Sequence, residues 1–185
     1  MRIALAGSGR LAYSLLEPLL ASRHEVVALF QNGRRTRGMR RRLEPFWKAH
    51  FPPYDNVVRL ARNQHIPLYW IDRMDEAELK PVHDLGLDLI LVGGFGIILQ
   101  PPLLQIPRLG CVNCHSSLLP RHRGPNPFSS VILEGETESG ISYHTMVEAI
   151  DAGDILCQSR FPIGDRYTAL DVYHEACRLA AETVS

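Results

Sequence analysis

Short apolar runs alternate along this chain with longer segments in which apolar residues recur every three or four positions. The runs predict buried strands, and the recurring positions predict amphipathic helices. The segment 10–22 shows the helical pattern most clearly, with Pro18 expected to bend it. The predicted strands are 3–6, 25–30, 67–71, 87–92, 111–115, 141–147 and 155–161. The other predicted helices are 56–63, one capped by Asp75, 127–133, and one that begins at Thr168.

This alternation predicts the fold class. Strands that alternate with helices favour a doubly wound α/β fold, in which a mostly parallel sheet carries helices on both faces. The run at 87–92 is the most continuous apolar stretch and predicts a central strand. A chain of 185 residues can bury a full core in one unit, so we expect a single domain over 1–185.

Composition excludes some classes of protein but does not indicate an activity. The 20 basic residues balance the 20 acidic ones, so no overall field favours nucleic acid or a membrane surface. No apolar run reaches the ~20 residues that span a bilayer, and the first segment lacks the layout of a signal peptide. Four cysteines need no disulfide framework in a chain of this length, so we expect reduced thiols and a cytoplasmic location.

The segment 109–124 carries the main candidate chemistry. Asn113 and His115 stand two apart at the end of a predicted strand, so their side chains point to the same side. An amide that donates a hydrogen bond and an imidazole that moves a proton suit a reaction at a carbonyl or acyl carbon. Asp151 can join this pair only through the fold. Taken singly, His115 is a core histidine, and Asp151 and Asp154 are turn formers.

These residues belong to a longer pattern. Asn113-x-His115 is followed by Ser117-Leu118-Leu119-Pro120-x-x-Arg123-Gly124, by Gly135-Glu136 and Gly140-Ile141, and by Asp151-x-Gly153-Asp154. In order and spacing the pattern resembles the 10-formyltetrahydrofolate-dependent formyltransferases. The resemblance implies a Rossmann-like formyltransferase fold and a one-carbon transferase, which moves a formyl group from 10-formyltetrahydrofolate to a primary amine.

The resemblance also implies roles for individual residues. Asn113 and a protonated His115 would stabilise the developing oxyanion, and His115 would pass a proton to the departing folate nitrogen. Asp151 would orient His115 and raise its pKa, and the reaction would need no metal. His144 is expected near the Asp151 loop, in a supporting role. The residues implied to bind the folate are Phe95, Gly96, Ile97, Ile98, Leu99, Ser117, Leu118, Leu119 and Pro120.

A basic cluster bears on the formyl acceptor. It consists of Arg34, Arg35, Arg37, Arg40, Arg41 and Arg42. Such a run is often only a solvated loop, but its potential also suits phosphates. Within the family the pattern is most similar to members that formylate methionyl-tRNA and carry a basic loop at this place. The implied acceptor is therefore the methionyl group of initiator tRNA, with an amino-sugar nucleotide or glycinamide ribonucleotide as the alternative. Those tRNA-using members have a second, C-terminal β-barrel domain, which we do not expect here.

Two other motifs match classes of protein unrelated to formyl transfer. Cys111-x-x-Cys114-His115 matches a haem-attachment pattern, but the cysteines fall in a predicted buried strand, where free thiols are common. Gly7-Ser8-Gly9-Arg10-Leu11-Ala12 follows a strand and fits a dinucleotide fingerprint, with arginines placed to suit a 2′-phosphate. An NADP-dependent Rossmann oxidoreductase is therefore the alternative of another class, although it explains nothing after residue 87.

Overall fold

Seven strands form one sheet in the computed structural model, which describes residues 1–33 and 56–184. The strands are β1 (Arg2–Gly7), β2 (Glu25–Asn32), β3 (Leu68–Ile71), β4 (Leu89–Gly93), β5 (Cys111–His115), β6 (Glu138–Thr145) and β7 (Ile155–Pro162). The described helices are α1 (Gly9–Leu20), α2 (Val57–Asn63), α3 (Glu76–His83), α4 (Pro101–Leu104), α5 (Pro127–Leu133) and α6 (Ala169–Thr183).

The sheet has the order β3-β2-β1-β4-β5-β6-β7. The first five strands in this order run parallel, while β6 is antiparallel to both β5 and β7. The mostly parallel sheet is thus confirmed. The reversal at β6 matters for the site because it sets Asn113 directly opposite His144 in the register between β5 and β6.

Two apolar cores cover the two faces of the sheet. Alternate residues of β1 divide between them, with Leu5 in one core and Ala4 in the other, as the twofold repeat of a strand requires. The first core includes residues of α1, α2 and α6, and the second includes residues of α3 and α4. Helices therefore lie on both faces, as the doubly wound prediction states.

The predicted helix starts are confirmed at three caps. The Asn56 side chain accepts from two backbone N–H groups of α2, and Asp75 accepts from the N–H of Glu78 at 3.0 Å in α3. Thr168 and Asp171 form a capping box at the start of α6. Pro18 lies in the last turn of α1. No helix in the described ranges is both long and apolar enough to cross a membrane.

Most predicted ends lie within two residues of the observed ones, and the larger differences concern α4 and β6. The single-turn helix α4 was not predicted, since four residues are too few to show a helical period. Strand β6 covers 138–145, not 141–147. Its first residues are polar or small, yet Glu138 pairs with Pro162 and Gly140 with Arg160 in the ladder to β7. Pairing with a neighbouring strand, which a hydropathy pattern does not record, accounts for the added residues.

Candidate active site

The fold brings Asn113, His115 and Asp151 together. Asn113 and His115 lie on β5, and Asp151 lies in the loop between β6 and β7. The two carboxylate oxygens of Asp151 divide between the other two side chains. Oδ2 is 3.5 Å from Nδ1 of His115, and Oδ1 is 3.5 Å from Nδ2 of Asn113. The sequence prediction that these residues converge is therefore met by the geometry.

The loop that carries Asp151 is closed at its base. The N–H of Thr145 donates to the carbonyl of Asp154, and the N–H of Asp154 donates to Oγ1 of Thr145, each at 2.9 Å. A side chain at Gly153 would overlap the carbonyl of Thr145, so this position requires glycine. Asp154 acts here through its backbone, in agreement with the turn role predicted for it.

Asp151 itself is held in an unusual backbone conformation. Its φ is 49°, in the left-handed region that aspartate tolerates better than most residues. The N–H of Gly124 donates to Oδ2 at 2.8 Å and so fixes the carboxylate from the loop after β5. Burial alone would raise the pKa of Asp151. The contact with His144, the Gly124 N–H and the nearby His115 together bring it below the ordinary value, so the carboxylate is ionised at neutral pH.

His144 is a fourth member of the site. Nδ2 of Asn113 donates to its Nε2 at 3.1 Å, and its Nδ1 donates to the carbonyl of Thr145 at 2.9 Å. Nε2 also lies 3.5 Å from Oδ1 of Asp151. The His144 side chain thus lies beside the Asp151 loop, where the sequence analysis expected it. Its supporting role stays a prediction. The Asn113 amide is held between His144 and Asp151.

His115 is buried with an acceptor at each ring nitrogen. Its Nε2 donates to the carbonyl of His122 at 2.9 Å, while Nδ1 faces Asp151. Burial lowers the pKa of His115 below its ordinary value, and the opposing effects of the His122 carbonyl and of Asp151 do not restore it. Asp151 raises the pKa of His115, as the resemblance implies, but burial lowers it by more, so the net shift in the free protein is downward.

This arrangement can accept a proton during a reaction. The hydrogen bond to a carbonyl places the hydrogen of a neutral His115 on Nε2, so the lone pair on Nδ1 faces the Asp151 carboxylate. A proton added at Nδ1 would convert that contact into an ion pair. A carboxylate beside the nitrogen that gains the proton stabilises the imidazolium, and this favours His115 as a proton acceptor.

The predicted folate residues in 95–99 separate into two groups. Gly96, Ile97 and Ile98 line a cavity of about 710 Å³, together with Asn32, Asp72, Arg73, Met74 and Gln100. Phe95 and Leu99 are instead buried in the core beneath this segment. The lining of the cavity does not include Asn113, His115 or Asp151. A folate site in 95–99 stays a prediction.

The predicted folate residues in 117–120 are mostly enclosed by protein. Ser117, Leu118 and Leu119 are buried, and Pro120 is exposed. Oγ of Ser117 donates to the carbonyl of Arg121 at 2.8 Å, and the N–H of Leu119 donates to Oγ of Ser142 at 3.0 Å. These bonds fix the loop after β5, which supplies both the His122 carbonyl and the Gly124 N–H. Contact of this segment with folate also stays a prediction.

Packing explains the two competing motifs. A side chain at Gly7 would overlap the carbonyl of Gly93, so glycine is needed where β1 meets β4. At the start of α1, where a dinucleotide phosphate would bind, the N–H of Leu11 donates to the hydroxyl of Tyr173 at 3.1 Å. Cys111 and Cys114 are buried as predicted, and burial raises the pKa of each thiol to about 12.

The arginines in 34–42 lie outside the described residues.

Comparison with known proteins now identifies the class. A family model described as formyl transferase matches residues 1–184, so the chain belongs to the formyl transferase family. The resemblance seen in the sequence is thereby confirmed, and an oxidoreductase finds no support in these comparisons.

Individual relatives make the match more specific. The chain is 35% identical over 185 residues to the methionyl-tRNA formyltransferase of Geobacter sulfurreducens, covering 100% of this chain and 56% of that protein. It is 36% identical over 167 residues to the methionyl-tRNA formyltransferase of Halalkalibacterium halodurans, covering 89% of this chain and 50% of that protein. The chain therefore spans about half the length of these curated relatives.

Solved structures agree in fold. Phosphoribosylglycinamide formyltransferase from Bacillus halodurans superposes with a TM-score of 0.77 at 19% identity, covering 99% of this chain and 91% of that one. An N-formyltransferase from Helicobacter canadensis, in complex with folinic acid and dTDP-3-aminofucose, superposes with a TM-score of 0.74 at 21% identity, covering 100% of this chain and 61% of that one. These likenesses establish the fold.

Proposed function

We propose that this chain transfers a formyl group from 10-formyltetrahydrofolate to a primary amine. The observation that carries the proposal is the convergence of Asn113, His115 and Asp151 in a member of the formyl transferase family. The folate donor is also consistent with the folinic acid bound to the Helicobacter canadensis N-formyltransferase. We place the reaction in the cytoplasm, where exposed thiols such as Cys157 stay reduced.

The proposed reaction uses the protonation states and hydrogen bonds of the three side chains. The amine attacks the formyl carbon, a carbon–nitrogen bond forms, and the bond to the folate nitrogen breaks. Neutral His115 accepts the proton that the amine loses and then gives it to the departing folate nitrogen. Asp151 stabilises the imidazolium between these two transfers. Asn113 exchanges one of its present acceptors, His144 or Asp151, for the oxyanion that develops on the formyl oxygen.

The acceptor that we propose is the methionyl group of initiator tRNA. The curated relatives at 35% and 36% identity are methionyl-tRNA formyltransferases, whereas the glycinamide ribonucleotide and sugar enzymes match at about 20% identity. The arginines at 34–42 suit a polyanion, although they lie outside the described residues. An amino-sugar nucleotide and glycinamide ribonucleotide remain the alternative acceptors.

An acceptor panel tests this choice. We expect formylation of methionyl-tRNA in preference to glycinamide ribonucleotide and amino-sugar nucleotides. Replacing Arg37, Arg40 and Arg41 together by Gln should weaken tRNA binding, and should flatten the fall of affinity with salt, because fewer counterions are released. The measurement is acceptor affinity against log salt for the parent and the triple variant. Equal affinities across the range would leave the arginines a solvated loop and remove them as support for tRNA.

A ligand-binding assay tests the donor separately. Folinic acid should raise the melting temperature of the chain, because it binds only the native state, and NADPH should leave it unchanged. Folate binding depends neither on the acceptor nor on catalysis, so this result stands even if the acceptor panel fails. Stabilisation by NADPH with no response to folinic acid would contradict the proposed function.

A further inference from the structure

A second cluster of ionisable side chains lies just beyond the residues assigned to catalysis. His122 belongs to the loop after β5, Glu134 ends α5, and Glu136 follows it. One ligand atom from each residue lies within 4.8 Å of the other two. Nδ1 of His122 is 3.5 Å from Oε1 of Glu134, and Nε2 is 3.5 Å from Oε1 of Glu136.

The histidine of this cluster is buried and incompletely bonded. Its side chain is only 6% exposed, and Nε2 is fully enclosed without a hydrogen-bond partner among residues 1–33 and 56–184. A buried polar atom without a hydrogen bond loses its hydration without compensation, so the unbonded nitrogen calls for an explanation. Nε2 lies beside the Glu136 carboxylate, at a separation too long for a good hydrogen bond.

That separation suits two ligands of one metal ion. Zinc binds imidazole nitrogen at about 2.0–2.1 Å and carboxylate oxygen at about 2.0–2.2 Å, which gives a ligand-to-ligand distance of roughly 3.4 Å in a tetrahedron. The 3.5 Å between Nε2 of His122 and Oε1 of Glu136 is close to this value. Oε1 of Glu134 lies beside Nδ1 of the same ring, so this side chain, which is 61% exposed, has to rotate toward Nε2 to join the ion.

The Arg121 guanidinium would compete with a metal ion for Glu136. Arg121 forms an ion pair with Oε1 of Glu136, and its side chain is 53% exposed. The Glu136 side chain is only 17% exposed, so departure of Arg121 alone would leave a largely buried carboxylate without a counter-charge, which a divalent ion in its place would supply. The two carboxylates would then be available to a divalent ion. Removal of the Arg121 charge should therefore favour a metal ion at this place.

We propose that His122, Glu134 and Glu136 form a binding site for a divalent transition-metal ion such as zinc. Imidazole and carboxylate ligands suit zinc and its neighbours, and three protein ligands leave a fourth position for water. The backbone of His122 binds the catalytic His115, and the N–H of Gly124 binds Asp151. A bound ion would hold the segment that makes both contacts.

Calorimetric titration with ZnCl₂ tests the site on the whole chain. A Cys157→Ser background removes the exposed thiol as a competing ligand. We expect one saturable ion per chain, and at least ~10-fold weaker binding in His122→Asn and in Glu136→Gln. Asparagine is chosen because His122 has a φ of 55°, which asparagine tolerates. Arg121→Gln should bind zinc more tightly than the parent.

Glu138→Gln is the matched control, since Glu138 lies nearby in the chain but pairs with Arg160. It should bind zinc as the parent does. The proposal is overturned if the parent shows no saturable binding, if His122→Asn and Glu136→Gln bind as well as the parent, or if Arg121→Gln binds less tightly. Should His122→Asn fail to fold by circular dichroism, Glu136→Gln and Arg121→Gln decide the question.

Discussion

The turn after β1 and the end of β5 lie in the same sheet, and both match a functional motif in the sequence. At the turn after β1, packing and hydrogen bonds within the protein explain the residues of the motif. Gly7 makes room for the carbonyl of Gly93, and Tyr173 binds the helix N–H that a phosphate would use. At the end of β5, by contrast, polar side chains from β5, β6 and the following loop converge within 3.5 Å.

The difference shows what separates a motif from a site. Both segments carry residue types that suit chemistry, and both lie where a parallel strand of the sheet ends. Glycine serves close packing as readily as it serves a phosphate, so its presence alone favours neither function. A buried carboxylate that faces a histidine and an amide carries a solvation cost that packing alone does not explain. The convergence of such groups is the stronger indication of function.

The largest expected effect is on catalysis at the end of β5. Asn113→Ala, His115→Ala and Asp151→Ala should each lower turnover at least ~100-fold, since each removes an oxyanion donor, a proton carrier or its partner. Folate affinity should change far less. Cys114→Ala is the control on the same strand, because this thiol is buried and its pKa is raised to about 12. An equal loss of turnover in Cys114→Ala would give the thiol a role that the geometry denies it.

A smaller effect is expected on stability at the turn after β1. A methyl group at Gly7 would overlap the carbonyl of Gly93 and approach Cβ of Ala12 to 2.8 Å. We expect Gly7→Ala to destabilise the chain by about 3 kcal/mol, at the upper end for overpacking. Gly110→Ala is the comparison, since no atom of the described residues lies within 4 Å of a Cβ built there and its φ of 78° opposes alanine, at a cost of about 1 kcal/mol. Urea denaturation of the two variants measures the difference, and equal losses would remove the packing account of Gly7.

The smallest effect concerns the protonation of His115. An NMR titration of its imidazole should give a midpoint below ~6.5, the ordinary value for histidine. Asp151→Asn should move the midpoint lower still, because Asp151 raises the pKa of His115. A midpoint above ~6.5 in the parent would contradict the downward shift, and one above ~7 would leave His115 mostly protonated at neutral pH and reverse the first step of the proposed reaction.

The same lowered pKa has a consequence for stability. Below ~6.5 the unfolded chain binds a proton at this histidine that the folded chain does not bind. The contribution of His115 to the free energy of unfolding therefore falls as the pH decreases from ~6.5 through the lowered pKa. His115→Asn removes this contribution, so its stability should vary less with pH in that window than the stability of the parent.

Much of the fold could be predicted from the sequence because the apolar pattern is strong. Each predicted strand is present, and Asp75 and Thr168 mark helix starts as expected. The ends of β6 could not be predicted, since Glu138 joins the sheet through backbone pairing with β7 and not through burial of an apolar side chain. Residues that enter a strand for this reason leave no periodic signal.

The sequence predicts which residues form the candidate site, but it does not predict their contacts or the protonation of His115. Asn113, His115 and Asp151 follow from the sequence, and His144 was placed beside the Asp151 loop. The contact of His144 with Asn113 depends on the register of antiparallel strands, which the sequence does not state. The neutral form of His115 depends on burial, which only the assembled core provides. His122 carries no signal in the sequence, because it contacts His115 through its backbone carbonyl.

The loop from β6 to β7 sets a limit on how the sequence can vary in length. Thr145 holds both ends of this loop through its own N–H and hydroxyl, and it follows His144 directly on β6. Asp151 is therefore at a fixed number of residues from an anchor on the strand that also carries His144. An insertion before Thr145 or after Asp154 would leave this count unchanged, while a single residue inserted between them would shift the carboxylate relative to both histidines. Between those two anchors the number of residues is therefore constrained as strictly as the side chains at Asp151 and Gly153.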